Sequence, residues 1–246
     1  MITSYHRPGT LDEAAILVTA PRTHVIVEGA ALASSPSEQA TAVVDLQSLG
    51  LDGIEMSGES LEIGSMTTLA DLAKSPLVPA IISDLANREA PSTIRTVATI
   101  GGTVVTNDPE SELLAGLLAF DASVTVAQAD ERLSYSLESV LDDPQLIEGS
   151  IITGISLDPR GAATAHRTGR TPMDRPIVMV VGHKDTTDHI HLALTGVDSR
   201  VVVLSPGQTD TLTPPSDFRG STRYRKELAS VLTERVLADL SGGGSQ

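Results

Sequence analysis

The first 50 residues alternate between a helical and an extended pattern of apolar positions. Thr10, followed three residues later by Glu13, has the capping-box spacing typical of a helix start. Extended apolar runs follow at 24–27 and 42–46. A helix set among short strands predicts a small, partly parallel unit that ends near residue 50. The apolar residues of the helix fall on one face: Leu11, Ala14, Ala15 and Val18.

Residues 51–160 form a second segment with a different pattern. A Ser57-Gly58-Glu59 turn between two short apolar runs predicts a hairpin. Thr67 is predicted to cap the first helix, and Pro76 to end it. The stretch between the last two strands is predicted to be irregular. The predicted strands are 53–56, 60–63, 123–127 and 151–157, and the predicted helices are 67–74, 77–89 and 111–120.

The third segment, 161–240, combines three apolar strands with one long helix. The strands are predicted at 177–183, 189–195 and 200–204, and the helix at 221–240. Residues 241–246 are expected to be a flexible tail. The apolar positions of the helix follow helical spacing: Tyr224, Leu228, Val231 and Leu232.

Composition narrows the classes of function. The chain of 246 residues contains no cysteine, which excludes an iron–sulfur cluster, a zinc–cysteine site, a disulfide and a cysteine nucleophile held by this chain alone. A net charge of −15 argues against nucleic-acid binding, which needs a basic surface. A hydrophobic content of 40% is too high for a disordered acidic chain.

Membrane and secretion signals are not apparent in the sequence. The most apolar runs, 177–181 and 201–204, are far shorter than the ~20 residues of a membrane helix. The first ten residues lack a basic start followed by an apolar run. We therefore expect a soluble, cytoplasmic protein.

The histidines offer one candidate metal site. His189 and His191 are two apart on a predicted strand and face the same side, with Asp188 beside them. Without a third clear ligand, an exposed strand face is the favoured interpretation. We expect no metal in this chain.

Two glycine-containing turns are candidates for phosphate binding. Gly29 follows one apolar run, and Gly101-Gly102 joins two others. Glycine allows the backbone to approach a ligand closely, and successive amide groups can cradle phosphate. A plain tight turn is the alternative for either one. Neither turn matches the Walker lysine pattern or the three spaced glycines of dinucleotide-binding proteins.

Several motifs resemble one known family. The run IRTVATIGGT at 94–103 resembles the R-N-x-A-T-I-G-G-N segment of the FAD-binding subunit of molybdenum hydroxylases. That family includes the medium subunit of aerobic carbon monoxide dehydrogenase and the flavin domain of xanthine dehydrogenase. Four further similarities occur in the family's order: YHRP at 5–8, IGSMTT at 63–68 (I-G-A-x-T-T), DPESELLA at 108–115 (D-P-x-x-D-x-P-A) and DFRGS at 217–221 followed by Tyr224-Arg225.

The resemblance implies an α+β fold. Two N-terminal subdomains, here 1–50 and 51–160, would hold FAD between them. A C-terminal domain at 161–240 would carry a small antiparallel sheet with helices.

The resemblance also implies a function in electron transfer. Electrons would come from a molybdenum cofactor in a large subunit, through two [2Fe-2S] clusters in a small subunit, to FAD in this chain. The flavin would then reduce an external acceptor. The expected partners are therefore the iron–sulfur subunit and the molybdenum subunit in a hetero-oligomer. No residue of this chain need act as a catalytic acid or base.

The family's FAD contacts can be carried over residue by residue. In the first loop, Glu28 replaces a glycine, and Ala30 and Ala31 replace polar residues. A carboxylate about 4 Å from a pyrophosphate charge would repel it by ~4 kcal/mol at an intermediate dielectric constant. Glu112 replaces an aspartate, and an alanine replaces an aromatic residue next to His166. The FAD-binding residues implied are Val27, Glu28, Gly29, Ala30, Ala31, Leu32, Thr99, Ile100, Gly101, Gly102, Thr103, Glu112, Ile152 and His166.

These substitutions leave three interpretations open. The chain binds FAD with an altered loop and relays electrons, which is the favoured one. It is a flavin-free scaffold or assembly subunit that keeps the fold. Or the pocket binds another nucleotide or small molecule. The substrate of the complete enzyme would be decided by the molybdenum subunit.

Overall fold

A computed structural model describes residues 2–20, 23–26, 41–128, 131–171, 174–205 and 208–242. The predicted first glycine loop, 27–32, lies outside the described residues. Of the predicted tail, residues 241 and 242 belong to the last helix, and 243–246 lie outside the described part.

A small parallel sheet forms the N-terminal part. Its strand order is β1-β3-β2, and both strand pairs are parallel. Thr10 caps the helix as predicted, because its hydroxyl accepts the Glu13 amide N–H, while the Glu13 carboxylate accepts the Gly9 N–H. The elements are β1 (Ser4–His6), α1 (Leu11–Val18), β2 (Thr23–Ile26) and β3 (Ala42–Asp45), followed by a 3-10 turn at Gln47–Leu49.

A five-stranded antiparallel sheet and six helices form the middle part. The strand order is β4-β5-β8-β6-β7. The strands are β4 (Ile54–Ser57), β5 (Ser60–Gly64), β6 (Ser123–Gln128), β7 (Glu131–Ser136) and β8 (Ile151–Leu157). The helices are α2 (Leu69–Leu72), α3 (Ala80–Glu89), α4 (Ser92–Arg95), α5 (Ile100–Thr106), α6 (Glu112–Ala119) and α7 (Leu137–Asp142), with a 3-10 segment at Pro144–Ile147.

Two predictions for this part are wrong. Thr68, not Thr67, caps α2, since its hydroxyl accepts the Asp71 amide N–H, while the Thr67 hydroxyl bonds to Gly53. The stretch predicted to be irregular contains β7, α7 and the 3-10 segment. The strand was missed because β7 is an edge strand whose alternate side chains are exposed, which leaves only Leu133 and Tyr135 as large apolar residues.

A four-stranded antiparallel sheet and one long helix form the C-terminal part. The strand order is β12-β11-β10-β9. The first strand, β9, was not predicted because small and polar residues dominate its sequence. The strands are β9 (Ala162–Thr168), β10 (Val178–Lys184), β11 (Ile190–Thr195) and β12 (Val202–Val203); a 3-10 turn (Thr209–Thr211) precedes α8 (Thr222–Gly242).

The buried face of α8 differs from the predicted one. Tyr224 and Val231 are 41% and 45% exposed, whereas Leu232 is buried as predicted. Arg225 takes the buried position in the first turn, where it pairs with Asp217, and this rotates the contact face by one residue. The buried residues of α8 are Arg225, Ala229, Leu232, Thr233, Val236 and Leu240.

Helix α6 lies at the centre of the largest core cluster. All eight of its residues are buried. It packs against α3 on one side and against β10 and β11 on another. Phe120, just after α6, stacks on the ring of His183 in β10, with the ring centroids 3.9 Å apart. The middle and C-terminal sheets therefore share one core through α6.

His183 predicts a pH dependence of stability. Burial lowers the pKa of its imidazole, which is 2% exposed. The unfolded chain then binds the proton more readily, so the free energy of unfolding falls as the pH drops through about 6.5. We expect the free energy of unfolding, measured in urea titrations, to fall between pH 7.5 and 5 (roughly either side of the ordinary imidazole pKa) more in the unmodified chain than in His183→Gln. If the free energy of unfolding of His183→Gln showed the same pH profile as that of the unmodified chain, other titratable groups would be the cause of the dependence.

Candidate functional site

A cleft of about 680 Å³ lies where the parallel sheet meets the middle part of the chain. Its volume falls within the roughly 300–1,000 Å³ of small-molecule and cofactor sites. The walls are mainly apolar. They are formed by β2 (Thr23, Val25), the residue after β3 (Leu46), the loop after β5 (Ser65, Met66), helix α5 (Gly101, Gly102, Val105, Thr106), the segment before β8 (Pro144, Gln145, Ile147, Glu148, Gly149, Ser150) and the start of β8 (Ile151, Ile152).

The predicted Gly101-Gly102 turn is the first turn of α5, so the prediction of a turn is wrong. Thr99 ends the preceding extended segment and caps the helix, since its hydroxyl accepts the Gly102 N–H at 3.1 Å. The Gly101 N–H donates to the Ser65 carbonyl oxygen at 2.9 Å, and the Ile100 N–H donates to Thr67 at 3.0 Å. These three amides are therefore already used within the protein and are not free to bind a phosphate.

Gly101 is required by the close approach of the Ser65 backbone. A Cβ atom at residue 101 would lie 2.8 Å from the Ser65 carbonyl oxygen and 2.9 Å from the Ser65 Cβ. Real Cβ atoms essentially never come this close to other atoms. The glycine thus holds α5 against the loop after β5 and fixes that side of the cleft.

Ser65 carries a buried hydroxyl without a hydrogen-bond partner. The residue is 3% exposed and lines the cleft. Two other hydroxyls in the lining are already satisfied: Thr106 donates to the Gly102 carbonyl oxygen, and Ser150 donates to that of Ile147. A buried unpartnered hydroxyl costs about 1–3 kcal/mol, which a ligand hydrogen bond can recover. The cleft therefore offers a neutral hydrogen-bonding group at Ser65.

No cationic side chain is present among the described residues that line the cleft. The one charged side chain of that lining is the carboxylate of Glu148, which is exposed. The walls therefore favour apolar and uncharged ligand groups over anions.

The structure brings some of the predicted contact residues together and separates others. Gly101, Gly102 and Ile152 line the cleft. Thr99, Ile100 and Thr103 are buried around the start of α5, outside the lining. The loop residues 27–32 lie outside the described part of the chain.

Glu112 is engaged elsewhere in the protein. It is 4% exposed, and its carboxylate lies 3.1 Å from Arg167 and 4.0 Å from Arg88. Burial raises the pKa of Glu112, and the charges of the two arginines oppose this shift. The carboxylate is therefore held between α3 and β9.

His166 also lies outside the lining of the cleft. Its Nε2 is 2.8 Å from a carboxylate oxygen of Asp239 in α8, and this contact lowers the pKa of Asp239. The pair links β9 to the C-terminal helix.

Sequence reasoning missed part of the lining. Ser65 was visible as the one departure within IGSMTT, where the family motif has alanine. Val105 and Thr106 follow one turn after the glycines on α5, but a turn prediction gave no reason to extend the site along a helix. The stretch 144–150 carries no recognisable motif and reaches the cleft only through the tertiary fold.

Among the described residues, no group of three or more His, Cys, Asp or Glu side chains is placed to hold a metal ion. His189 is exposed, and His191 lies 3.4 Å from Asp185. None of the helices in the described ranges is long and apolar enough to cross a membrane.

Fold and sequence comparisons define the class of protein. Residues 1–159 match the model of the FAD binding domain in molybdopterin dehydrogenase. The chain belongs to this family, and its α+β fold is the one predicted.

Individual relatives extend the match beyond residue 159. The uncharacterized protein YgfM of Escherichia coli K12 is 25% identical over 264 aligned residues, covering 100% of this chain and 99% of the relative. The glyceraldehyde dehydrogenase medium chain of Sulfolobus acidocaldarius is 22% identical over 232 residues, covering 81% and 83%. A chain of carbon monoxide dehydrogenase from Hydrogenophaga pseudoflava superposes with a TM-score of 0.86 at 20% identity, covering 98% of both chains.

The cleft fits the flavin part and the pyrophosphate of FAD unequally. Its volume, its apolar walls and the Ser65 hydroxyl suit the flat flavin ring and its polyol chain. The described lining offers the pyrophosphate neither a cation nor a free amide at the start of α5. The residues present therefore match the uncharged part of the cofactor better than its phosphates.

Proposed function

We propose that this chain is the flavin subunit of a molybdenum hydroxylase-type dehydrogenase, with FAD bound in the cleft. FAD, when bound, supplies the ability to accept and release electrons. The observation that carries the proposal is the cleft itself. Three predicted contact residues, Gly101, Gly102 and Ile152, meet there within the region that matches the family model.

The chain's own residues have binding roles in this proposal. Met66, Ile151 and Ile152 form apolar walls that pack against a flat ring and exclude water. The Ser65 hydroxyl hydrogen-bonds to a polar atom of the ligand. Gly101 keeps α5 close to Ser65 and holds these groups in place.

Electron delivery requires partner chains. The chain has no cysteine, so we propose that [2Fe-2S] clusters in a small subunit pass electrons to this chain and that a large subunit holds the molybdenum cofactor. Relatives named as a dehydrogenase medium chain and as a subunit of a dehydrogenase complex support a hetero-oligomer. We further propose a cytoplasmic location, and subdomain boundaries near residues 50 and 160, where one sheet gives way to the next.

One observation favours a second candidate, a flavin-free scaffold subunit. The amides at the start of α5 already donate within the protein, and a carboxylate is the one charge in the described lining. In this function the chain still binds its partner subunits, but it carries no flavin and transfers no electrons.

Flavin binding distinguishes the two candidates. The purified chain, alone and with its partner subunits, is expected to absorb near 450 nm (about the flavin band) and to contain one FAD per chain. Val105→Glu places a carboxylate in the cleft at a position that is 59% exposed, so folding is preserved. It is expected to lower FAD affinity roughly tenfold.

The matched control is Val231→Glu on α8, at a position that is 45% exposed and outside the cleft. It is expected to bind FAD as the unmodified chain does. A colourless preparation that takes up no added FAD, with or without its partners, would favour the scaffold function.

A further inference from the structure

Asn107 connects two walls of the cleft. It directly follows Thr106, which lines the cleft at the end of α5, and its side-chain Nδ2 donates to the Leu141 carbonyl oxygen at 3.0 Å. Leu141 is a buried residue of α7, the helix that precedes the cleft wall before β8. The bond therefore ties the end of one wall to the helix that leads into another.

The wall segment, residues 143–150, hydrogen-bonds within itself. It runs from the end of α7 to the start of β8, and Ile147 packs against the main core cluster. Because its amides bond inside the segment, its spacing from α5 depends on where α7 and β8 place its two ends. Three of these bonds are Leu146 N–H to Asp143, Glu148 N–H to Gln145 and Ser150 N–H to Ile147.

Two features of Asn107 cost stability. Its backbone φ of 46° lies in the left-handed region that favours glycine, and its Oδ1 is buried without a hydrogen-bond partner. Glycine at this position would ease the backbone and remove the unpartnered oxygen, but it would also remove the bond to Leu141. The asparagine keeps that bond in spite of both costs, which points to a role beyond the stability of the fold.

We infer that Asn107 is a positioning residue that sets the spacing between α5 and the wall segment, and through it the fit of a flavin ring in the cleft. This rests on the proposed function, in which a flavin occupies the cleft. A flat ring needs close contact with its walls, because a gap of about 0.5–1 Å already forfeits a quarter to a half of the dispersion attraction. Asn107 lies outside the described lining, so it acts through the walls.

Asn107→Gly separates positioning from stability. We expect its melting temperature to stay within about 4 °C of that of the unmodified chain, because the eased backbone offsets the lost bond. The dissociation constant of FAD should rise roughly tenfold, comparable to the loss of one well-placed hydrogen bond. The visible circular dichroism of the flavin at saturation should change as well, since the ring would lie differently between the walls.

Asp121→Gly is the matched control. Asp121 is also a non-glycine residue in the left-handed region, with a φ of 49°, and it is exposed and outside the cleft lining. Its replacement eases the backbone in the same way, and it should leave the FAD affinity and the flavin circular dichroism unchanged.

Asn107→Asp is the second variant. Aspartate has nearly the same size as asparagine and is also tolerated in the left-handed region, but its carboxylate cannot donate to the Leu141 carbonyl oxygen. It should weaken FAD binding at least as much as Asn107→Gly does.

The spacing of the walls can also be measured without a flavin. The chain has no cysteine, so Val105→Cys and Gln145→Cys together provide two unique sites for spin labels, at exposed positions on α5 and on the wall segment. Adding Asn107→Gly should shift the distance between the labels or broaden its distribution. Adding Asp121→Gly should do neither.

The outcomes separate the inference from the proposed function. Unchanged FAD affinity in Asn107→Gly would overturn the inference and leave the flavin function standing. A loss of affinity with an unchanged distance between the labels would overturn it as well. If FAD does not bind the unmodified chain, with partners present or absent, the proposed function fails, and the label distances still decide whether Asn107 sets the spacing of the walls.

Discussion

Replacement of Arg225 by alanine is expected to lower the free energy of unfolding by about 3–5 kcal/mol. Arg225 is fully buried, and its guanidinium donates to the carbonyl oxygens of Ile177 and Gly196 at 2.7 and 2.9 Å. It also pairs with both carboxylate oxygens of Asp217. The variant would leave the Ile177 and Gly196 carbonyl oxygens without this donor, and it would remove from Asp217 the guanidinium that lowers its pKa. The backbone N–H groups of Arg219 and Gly220 would still donate to Asp217.

Urea unfolding followed by circular dichroism measures this loss. Arg225→Lys should recover only a small part of the stability, because an ammonium group cannot reproduce the planar set of donors. Arg223→Ala, at a side chain that is 89% exposed on the same helix, is the control and should change stability by less than about 0.5 kcal/mol. If Arg225→Ala and Arg223→Ala lost equal stability, the buried arginine would have no special part in the fold.

Replacement of Gly101 by valine is expected to abolish flavin binding and to lower the free energy of unfolding by about 2–3 kcal/mol. Already the Cβ of residue 101 would collide with the carbonyl oxygen and Cβ of Ser65. Backbone atoms cannot rotate away, so α5 must move from the loop after β5. This movement would displace Ser65 and Gly102 in the wall of the cleft.

Thermal unfolding and FAD titration on the same preparation separate the two effects. Gly9→Ala is the control, because a Cβ at residue 9 meets nothing within 4 Å and the residue is exposed. A Gly101→Val protein that still takes up FAD with unchanged affinity would place the flavin outside this cleft.

The sequence analysis predicted those elements that are marked by a local feature, such as a helix cap or a continuous apolar run. Helix α1 begins at its predicted cap, and the apolar run of β10 was found because both of its faces are buried. Elements that depend on distant contacts were missed. Strand β9 is half-buried between β10 and α8, so small residues such as Ala163 and Ala165 suffice in it. The buried face of α8 is set by the bond from Arg225 to Asp217, which a count of apolar residues does not detect.

Some features of the candidate site were likewise predicted from the sequence, whereas others depend on distant contacts and were not. Gly101, Gly102 and Ile152 were located through the motifs that resemble the family. The use of the α5 amides by Ser65, Thr67 and Thr99 depends on how the loop after β5 meets the helix, so it became visible only in the structure.

Because α6 lies at the centre of the core, its contacts determine which parts of the chain are expected to unfold together. Its buried side chains share one cluster with Met179, Val181 and Ala193 of the C-terminal sheet. A chain cut at residue 159, where the match to the family model ends, would expose this surface to water. The match to the family model therefore ends inside a shared core, and not at its edge. We expect the C-terminal sheet to stabilise residues 1–159, because it covers the apolar surface of α6.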